Sequence, residues 1–220
     1  MRQYLVRHGE SVSNLEGRVQ GQEDIELSAR GHEQARQVAA WSRTLSASLP
    51  DGAATIGEIT IGEIWTSPLR RARETAAVIA AALGLPLMVE ERLCELHAGI
   101  FQGHLWADLE TTFPEEVSRW RSGDEHYAIP GGESRAQLAA RGRSALETLA
   151  RRSTPGMIAV AHGGVLTAAL GSLMGREHPL LAAAVERPFT RLPALANCSV
   201  TQIEWPGPRL VAFNETGHLV

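Results

Sequence analysis

The segment Tyr4-Leu5-Val6-Arg7-His8-Gly9-Glu10 constrains this chain more than any other stretch. Tyr4 to Val6 is a short apolar run of strand formers with no polar break, which reads as a buried strand. Arg7 and His8 then fall at its carboxyl end, where open α/β sheets place their ligand crevice. Gly9 lets the backbone turn tightly there and lets a ligand approach it. A guanidinium and an imidazole side by side suit an anionic substrate attacked by nitrogen. Met157-Ile158-Ala159-Val160-Ala161 is a second continuously apolar run, the pattern of a central strand, and it leads into His162-Gly163-Gly164.

Between these runs, strand and helix patterns alternate. Ser28 is placed as the N-cap of a helix over Ala29–Leu45, with Ala35, Val38, Ala39 and Leu45 as its apolar stripe. Pro50–Ala54 breaks it. Ile56-Gly57-Glu58-Ile59 is echoed by Ile61-Gly62-Glu63-Ile64, a local duplication that feeds a second strand at Ile64-Trp65-Thr66. Ser67-Pro68 reads as cap and first residue of a helix that Gly84 ends. Leu87-Met88-Val89 follows as a strand, Glu133–Arg151 and Val165–Met174 as helices, and Ser199–Glu204 with Arg209–Phe213 as a closing hairpin across Pro206-Gly207-Pro208. This order predicts a three-layer α/β/α sandwich with a mixed, mostly parallel sheet. No linker divides the 220 residues, so they are read as one domain. Residues 97–132 are rich in breakers and aromatics, and are expected to form a small helical insertion acting as a lid.

Composition narrows the partners. A net charge of −4 without a basic run argues against nucleic acid. No apolar stretch reaches membrane-spanning length, and Met1-Arg2-Gln3 leads straight into a strand rather than a signal peptide. Cys94 and Cys198 have neither disulfide nor metal spacing, which fits a reducing cytoplasm. The expected partner is therefore a small molecule, with the protein a monomer or homodimer.

Four strand ends or helix starts carry chemistry: Arg7 with His8, Arg70, Glu95 and His162. Two guanidiniums suit a phosphoryl group because their planar forks donate several bonds and stay charged. His162 precedes Gly163 and Gly164 at a helix start, so backbone N–H groups there are expected to join it around an anion. Neutral His8 is a candidate nucleophile, and Glu95 a candidate general acid and base. A metal site made of His8, His162 and Glu95 is disfavoured, because two arginines in the same pocket would repel the ion.

These residues resemble the histidine phosphatase, or phosphoglycerate mutase-like, superfamily. The resemblance runs through Arg7-His8-Gly9-Glu10-Ser11 with Asn14, then Arg18, Gln20, Gly21, Asp24, Leu27, Gly31, Gln34 and Ala35. It continues through Thr66-Ser67-Pro68-Leu69-Arg70-Arg71-Ala72, Leu93-Cys94-Glu95 with Gly99 to Gly103, Pro130-Gly131-Gly132-Glu133-Ser134 and Val160-Ala161-His162-Gly163-Gly164. Asn214–Leu219 is similar to a common family ending. The resemblance implies a metal-independent enzyme without cofactors. It makes His8 the phosphorylated residue, Arg7, Arg70 and His162 the phosphate pocket, and Glu95 the proton donor. Asn14, Gln20, Gly21, His97 and Gly163 are the expected substrate neighbours.

Within the superfamily, the mutases carry a Glu-Arg-His-Tyr-Gly type block and a His-Gly-Asn block. This chain has Glu95-Leu96-His97-Ala98-Gly99 and His162-Gly163-Gly164 in those places, and a shorter stretch between them. A mutase must keep water from its phosphoenzyme, so hydrolysis is favoured. The Phe113-Pro114-Glu115-Glu116 and Pro130–Ser134 stretches resemble the fructose-2,6-bisphosphatase branch. Asp124 and Glu125 stand where that branch carries basic residues, so a doubly charged sugar is disfavoured. The expectation is a broad-specificity phosphatase of small organic phosphomonoesters. The alternatives are a mutase, a sugar bisphosphatase and a non-catalytic phospholigand-binding protein. The last would predict loss of His8, Glu95 or His162, and all are present.

Overall fold

The absence of a polar break in Tyr4-Leu5-Val6 has a direct structural cause. Tyr4 and Val6 pack on one side of the sheet with Val38, Ala39, Ala72, Ala76 and Ile79. Leu5 packs on the other with Leu138, Leu146, Val165, Leu166 and Leu170. Neither face of the strand meets water. Ile158 and Val160 alternate with Met157, Ala159 and Ala161 between the same two layers.

The computed structural model describes residues 1–44, 54–56, 59–152, 154, 156–182 and 194–219. Among them the chain runs β1 (Arg2–Arg7), α1 (Val12–Glu16), α2 (Ala29–Thr44), β2 (Ala54–Ile56), β3 (Ile59–Thr66), α3 (Arg70–Leu83) and β4 (Leu87–Val89). It continues through α4 (Leu109–Thr112), α5 (Pro114–Arg121), α6 (Arg135–Ala150), β5 (Gly156–Ala161), α7 (Gly163–Met174), α8 (Pro179–Ala182), β6 (Val200–Glu204) and β7 (Arg209–Glu215). The sheet order is β2-β3-β5-β1-β6-β7, with β4 also on β3. β1, β3, β4 and β5 run parallel, whereas β2 and β6 run against them and β7 against β6. With α2 and α3 on one face and α6 and α7 on the other, this is the mixed α/β/α arrangement expected. No helix among the described residues is long and apolar enough to cross a membrane.

Local expectations fare unevenly. The Ser28 hydroxyl accepts the Gly31 N–H, as an N-cap should. Ser134 and Gln137 close a reciprocal capping box on α6. Ser67, by contrast, does not cap α3. That helix begins at Arg70 behind an extended Leu69 and has no side-chain cap; the Ser67 hydroxyl instead accepts the Leu69 N–H and meets His162. The Ile-Gly-Glu-Ile echo spans an antiparallel strand pair, Ile56 pairing with Ile59 and Ala54 with Ile61, and its second copy lies within β3, which runs on through the expected strand Ile64-Trp65-Thr66. Leu45, the Pro50–Gly52 break and Gly57-Glu58 lie outside the described residues.

Residues 97–132 build a cluster of their own: Ala98, Phe101, Leu109, Val117, Trp120 and Ile129 pack with Val19 from the first loop. Pro114 stands at the first turn of α5, where a missing N–H costs nothing.

Candidate active site

A cavity of about 90 Å³ opens beside the carboxyl ends of β1 and β5. Arg7, His8, Asn14, Gln20, Gly21, Arg71, Glu95 and Gly164 form its polar wall. Its other wall is apolar, with Leu96, Phe101, Trp106, Leu109, Trp120 and Ile129.

His8 is buried just past β1, its amide N–H bonded to the Ala161 carbonyl of the neighbouring strand. Its Nδ1 lies 2.6 Å from the carbonyl oxygen of Gly9. A carbonyl only accepts, so Nδ1 carries the ring proton and the lone pair resides on Nε2. Gly9 is needed for packing more than for ligand approach: a Cβ there would lie 2.5 Å from the Gly31 carbonyl oxygen. The Arg7 guanidinium donates to the Leu195 carbonyl at 2.6 Å and to Asn14 Oδ1 at 3.4 Å.

The second arginine is Arg71, not Arg70. Arg70 is exposed and pairs with Glu26 at 2.7 Å and Glu74 at 2.8 Å, and its backbone N–H donates to Asp24. The reason is helical phase. In α3, residues 71, 72, 75, 76, 79 and 80 face inward, so position 70 points away from the sheet. Arg71 is 1% exposed and donates to the carbonyls of Gly21 and Glu23, both at 2.8 Å. Burial pushes its pKa down to about 10, with Glu95 the largest opposing influence, so it stays protonated at neutral pH. The apolar stripe through Ala72, Ala76 and Ile79 was a signal in the sequence for this assignment.

Glu95 lies beyond β4 in a segment without regular structure, and its carboxylate closes the start of α7. Oε2 accepts the Gly164 N–H at 2.9 Å, and Oε1 accepts those of Val165 at 3.0 Å and Leu96 at 2.8 Å. The helix-start N–H groups expected to hold an anion are therefore taken by this carboxylate at positions 164 and 165. Gly164 makes it possible, since a Cβ there would sit 2.3 Å from Glu95 Oε1. His162 is fully buried behind His8, ring centroids 5.1 Å apart, with Nε2 2.8 Å from Ser67 Oγ. Burial, then the nearby Arg71, His8, Arg7 and Arg141, hold its pKa well below the ordinary histidine range. At neutral pH it is therefore an uncharged ring, and its Nδ1 has no hydrogen-bond partner among the described residues.

Among the expected substrate neighbours, Asn14, Gln20 and Gly21 border the cavity. Gln20 Oε1 accepts the Ser11 hydroxyl, which orients its amide. His97 does not border it: its Nδ1 accepts the Gly99 N–H in the turn that follows. Nor does Gly163, which starts α7 with Gly164 taking the cavity side. Asn197, absent from the sequence reading, donates to the His8 carbonyl at 3.0 Å and to Asn14 Oδ1 at 3.3 Å. Arg135, also missed, is buried in the apolar wall with its guanidinium 3.8 Å from the Trp120 ring centroid. Its position one residue past a capping serine gave no sign of this. Among the described residues, no group of three or more His, Cys, Asp or Glu side chains could hold a metal ion.

Residues 3–216 match the family model of the histidine phosphatase superfamily, branch 1. The chain belongs to this superfamily. This histidine phosphatase family member is 35% identical over 209 residues to a probable phosphoglycerate mutase, GpmB, of Enterobacter sp. (strain 638), spanning 92% of this chain and 84% of the relative. A mycobacterial glucosyl-3-phosphoglycerate phosphatase solved with VO3 superposes with a TM-score of 0.72 at 32% identity, covering 98% of this chain and 99% of that one. A mutant phosphoserine phosphatase of Entamoeba histolytica solved with phosphoserine superposes with a TM-score of 0.77 at 26% identity, covering 100% and 99%.

Proposed function

We propose that this family member hydrolyses small phosphomonoesters in two displacements at His8, without a metal. The observation that carries the reading is the Nδ1 contact with Gly9, which leaves the Nε2 lone pair on a ring in the wall of an arginine-lined cavity. In the first displacement Nε2 attacks phosphorus, the P–O ester bond breaks, and Glu95 delivers a proton to the departing oxygen. In the second, water attacks the phosphohistidine, Glu95 takes the water's proton, and inorganic phosphate leaves with His8 restored. Arg7 and Arg71 donate to the non-bridging oxygens, whose charge must be held throughout, while neutral His162 supports the His8 ring from behind. The apolar wall suits the organic part of the ester.

A mutase reading has one specific support, the name of the relative at 35% identity. Against it stands Gly164: a Cβ there would meet Glu95 Oε1 at 2.3 Å, so a larger residue would have to push that carboxylate aside. The resemblance makes an asparagine at this place a mutase trait. Glucosyl-3-phosphoglycerate phosphatase and phosphoserine phosphatase among the structural relatives support hydrolysis.

The test is p-nitrophenyl phosphate turnover in excess chelator, with trapping of an acid-labile, base-stable phosphoenzyme by an alkaline detergent quench. Parallel incubation with 3-phosphoglycerate and 2,3-bisphosphoglycerate should release phosphate without isomer exchange. Isomerisation faster than phosphate release would reverse the choice, and turnover lost to chelation and restored by one metal would remove metal independence.

A further inference from the structure

Glu95 stands outside any helix or strand, so something other than a ladder must hold its backbone. Arg141, on the inner side of α6, provides it. Arg141 Nη1 donates to the carbonyls of Arg92 at 2.9 Å and Cys94 at 2.5 Å. Nη2 donates to the Glu95 carbonyl at 2.8 Å and to Glu133 Oε1 at 2.6 Å, and Nε donates to Glu133 Oε2 at 3.0 Å. A guanidinium has five N–H donors in one rigid plane, and every one is used here. Two grip a carboxylate in a fork, which neutralises a pair only 21% and 14% exposed. The other three satisfy carbonyls of one short irregular segment that no strand partner reaches. Glu133 extends the clamp by accepting the His97 N–H at 2.8 Å, and Gln22 Nε2 adds a second bond to the Glu95 carbonyl.

We propose that Arg141 is the positioning residue for Glu95: with Glu133 it fixes the backbone from residue 92 to 97 and so sets the Glu95 carboxylate against α7 beside His8. The proposal rests on the reading of Glu95 as proton donor given above. Lysine keeps the charge opposite Glu133 but has three donors on one atom, which cannot span three carbonyls and a fork.

The experiment compares Arg141→Lys, Glu95→Gln and the double variant in single-turnover phosphoryl transfer. The substrates are β-glycerophosphate, whose alkoxide needs a proton to leave, and p-nitrophenyl phosphate, whose phenolate does not. Arg141→Lys should slow transfer from β-glycerophosphate about tenfold or more while changing p-nitrophenyl phosphate about twofold at most. It should leave vanadate affinity unchanged, and should cost almost nothing further when added to Glu95→Gln. Equal losses for both substrates beside a selective Glu95→Gln would make Arg141 a general brace of the fold and overturn the proposal. An unselective Glu95→Gln would sink the proton-donor reading itself. The double variant then decides alone: absent extra cost upholds the positioning role, and additive costs refute it. If circular dichroism shows Arg141→Lys to be unfolded, Glu133→Gln, which keeps an acceptor and loses the fork, takes its place with the same outcomes.

Discussion

Two strand ends of this molecule carry nearly the same letters, Arg7-His8-Gly9 after β1 and Ala161-His162-Gly163-Gly164 after β5, yet they make opposite environments. His8 borders the cavity with its Nδ1 proton locked on Gly9. His162 lies fully buried behind it, bonded to Ser67 and held neutral. The glycines differ in the same way. Gly9 makes room for the start of α2 through Gly31, whereas Gly164 makes room for the Glu95 carboxylate. A histidine–glycine pair at a strand end is thus a placement device, and what packs against the glycine decides what the histidine faces.

The contrast can be broken most sharply at the two rings. His8→Ala should lower turnover of every phosphomonoester by about 10⁴-fold or more, the scale seen when a nucleophile is removed. His162→Ala should still form phosphoenzyme, slowed by much less than His8→Ala, because it supports the His8 ring from behind instead of attacking phosphorus. Rapid-quench measurement of phosphoenzyme separates the two; comparable burst rates in His8→Ala and the parent would refute the assignment of His8.

The arginines give the next largest effect. Arg71→Ala should cost roughly 10²–10³-fold in kcat/KM, and Arg71→Lys about as much, because lysine cannot reproduce the fork. Arg70→Ala should leave kcat/KM near normal, since its partners are surface carboxylates. Steady-state kinetics on one substrate panel checks both, and a large loss at Arg70 with none at Arg71 would overturn the helical-phase argument.

The glycines come third. Gly164→Ala should displace Glu95 and slow alkyl phosphates by about 10²-fold, the usual worth of general acid catalysis, while sparing aryl phosphates. Gly9→Ala should instead show up as instability of about 1–3 kcal/mol from overpacking against Gly31. Melting curves beside substrate ratios distinguish them.

The smallest effect is a slope. His162 is depressed well below the ordinary value of 6.5 when folded, so below that pH the unfolded chain binds one more proton there. Its contribution to stability is full above about 6.5 and is lost as the pH falls through the folded pKa. His162→Gln should flatten the fall in melting temperature between about pH 7 and 5; parallel slopes in parent and variant would show that another group is responsible.

Read by itself, the sequence determines the layered α/β architecture, because Tyr4-Leu5-Val6 and Met157–Ala161 have no face that tolerates water. It also determines that His8, Arg7, Glu95 and His162 meet at one edge, since each follows a strand whose direction the alternation of elements implies. Whether Arg70 or Arg71 reaches that edge was legible only through the phase of α3, where one residue of helix rotates a side chain by about 100°. Glu133 read as part of a helix start, and Asn197 and Arg135 gave no local signal at all. Their roles arise from contacts between segments far apart in the chain: Glu133 with Arg141 and the His97 backbone, Asn197 with His8, Arg135 with Trp120. Periodicity records which face of an element meets the core, whereas the partner of a buried polar group is chosen by tertiary packing, and only the folded chain brings it there.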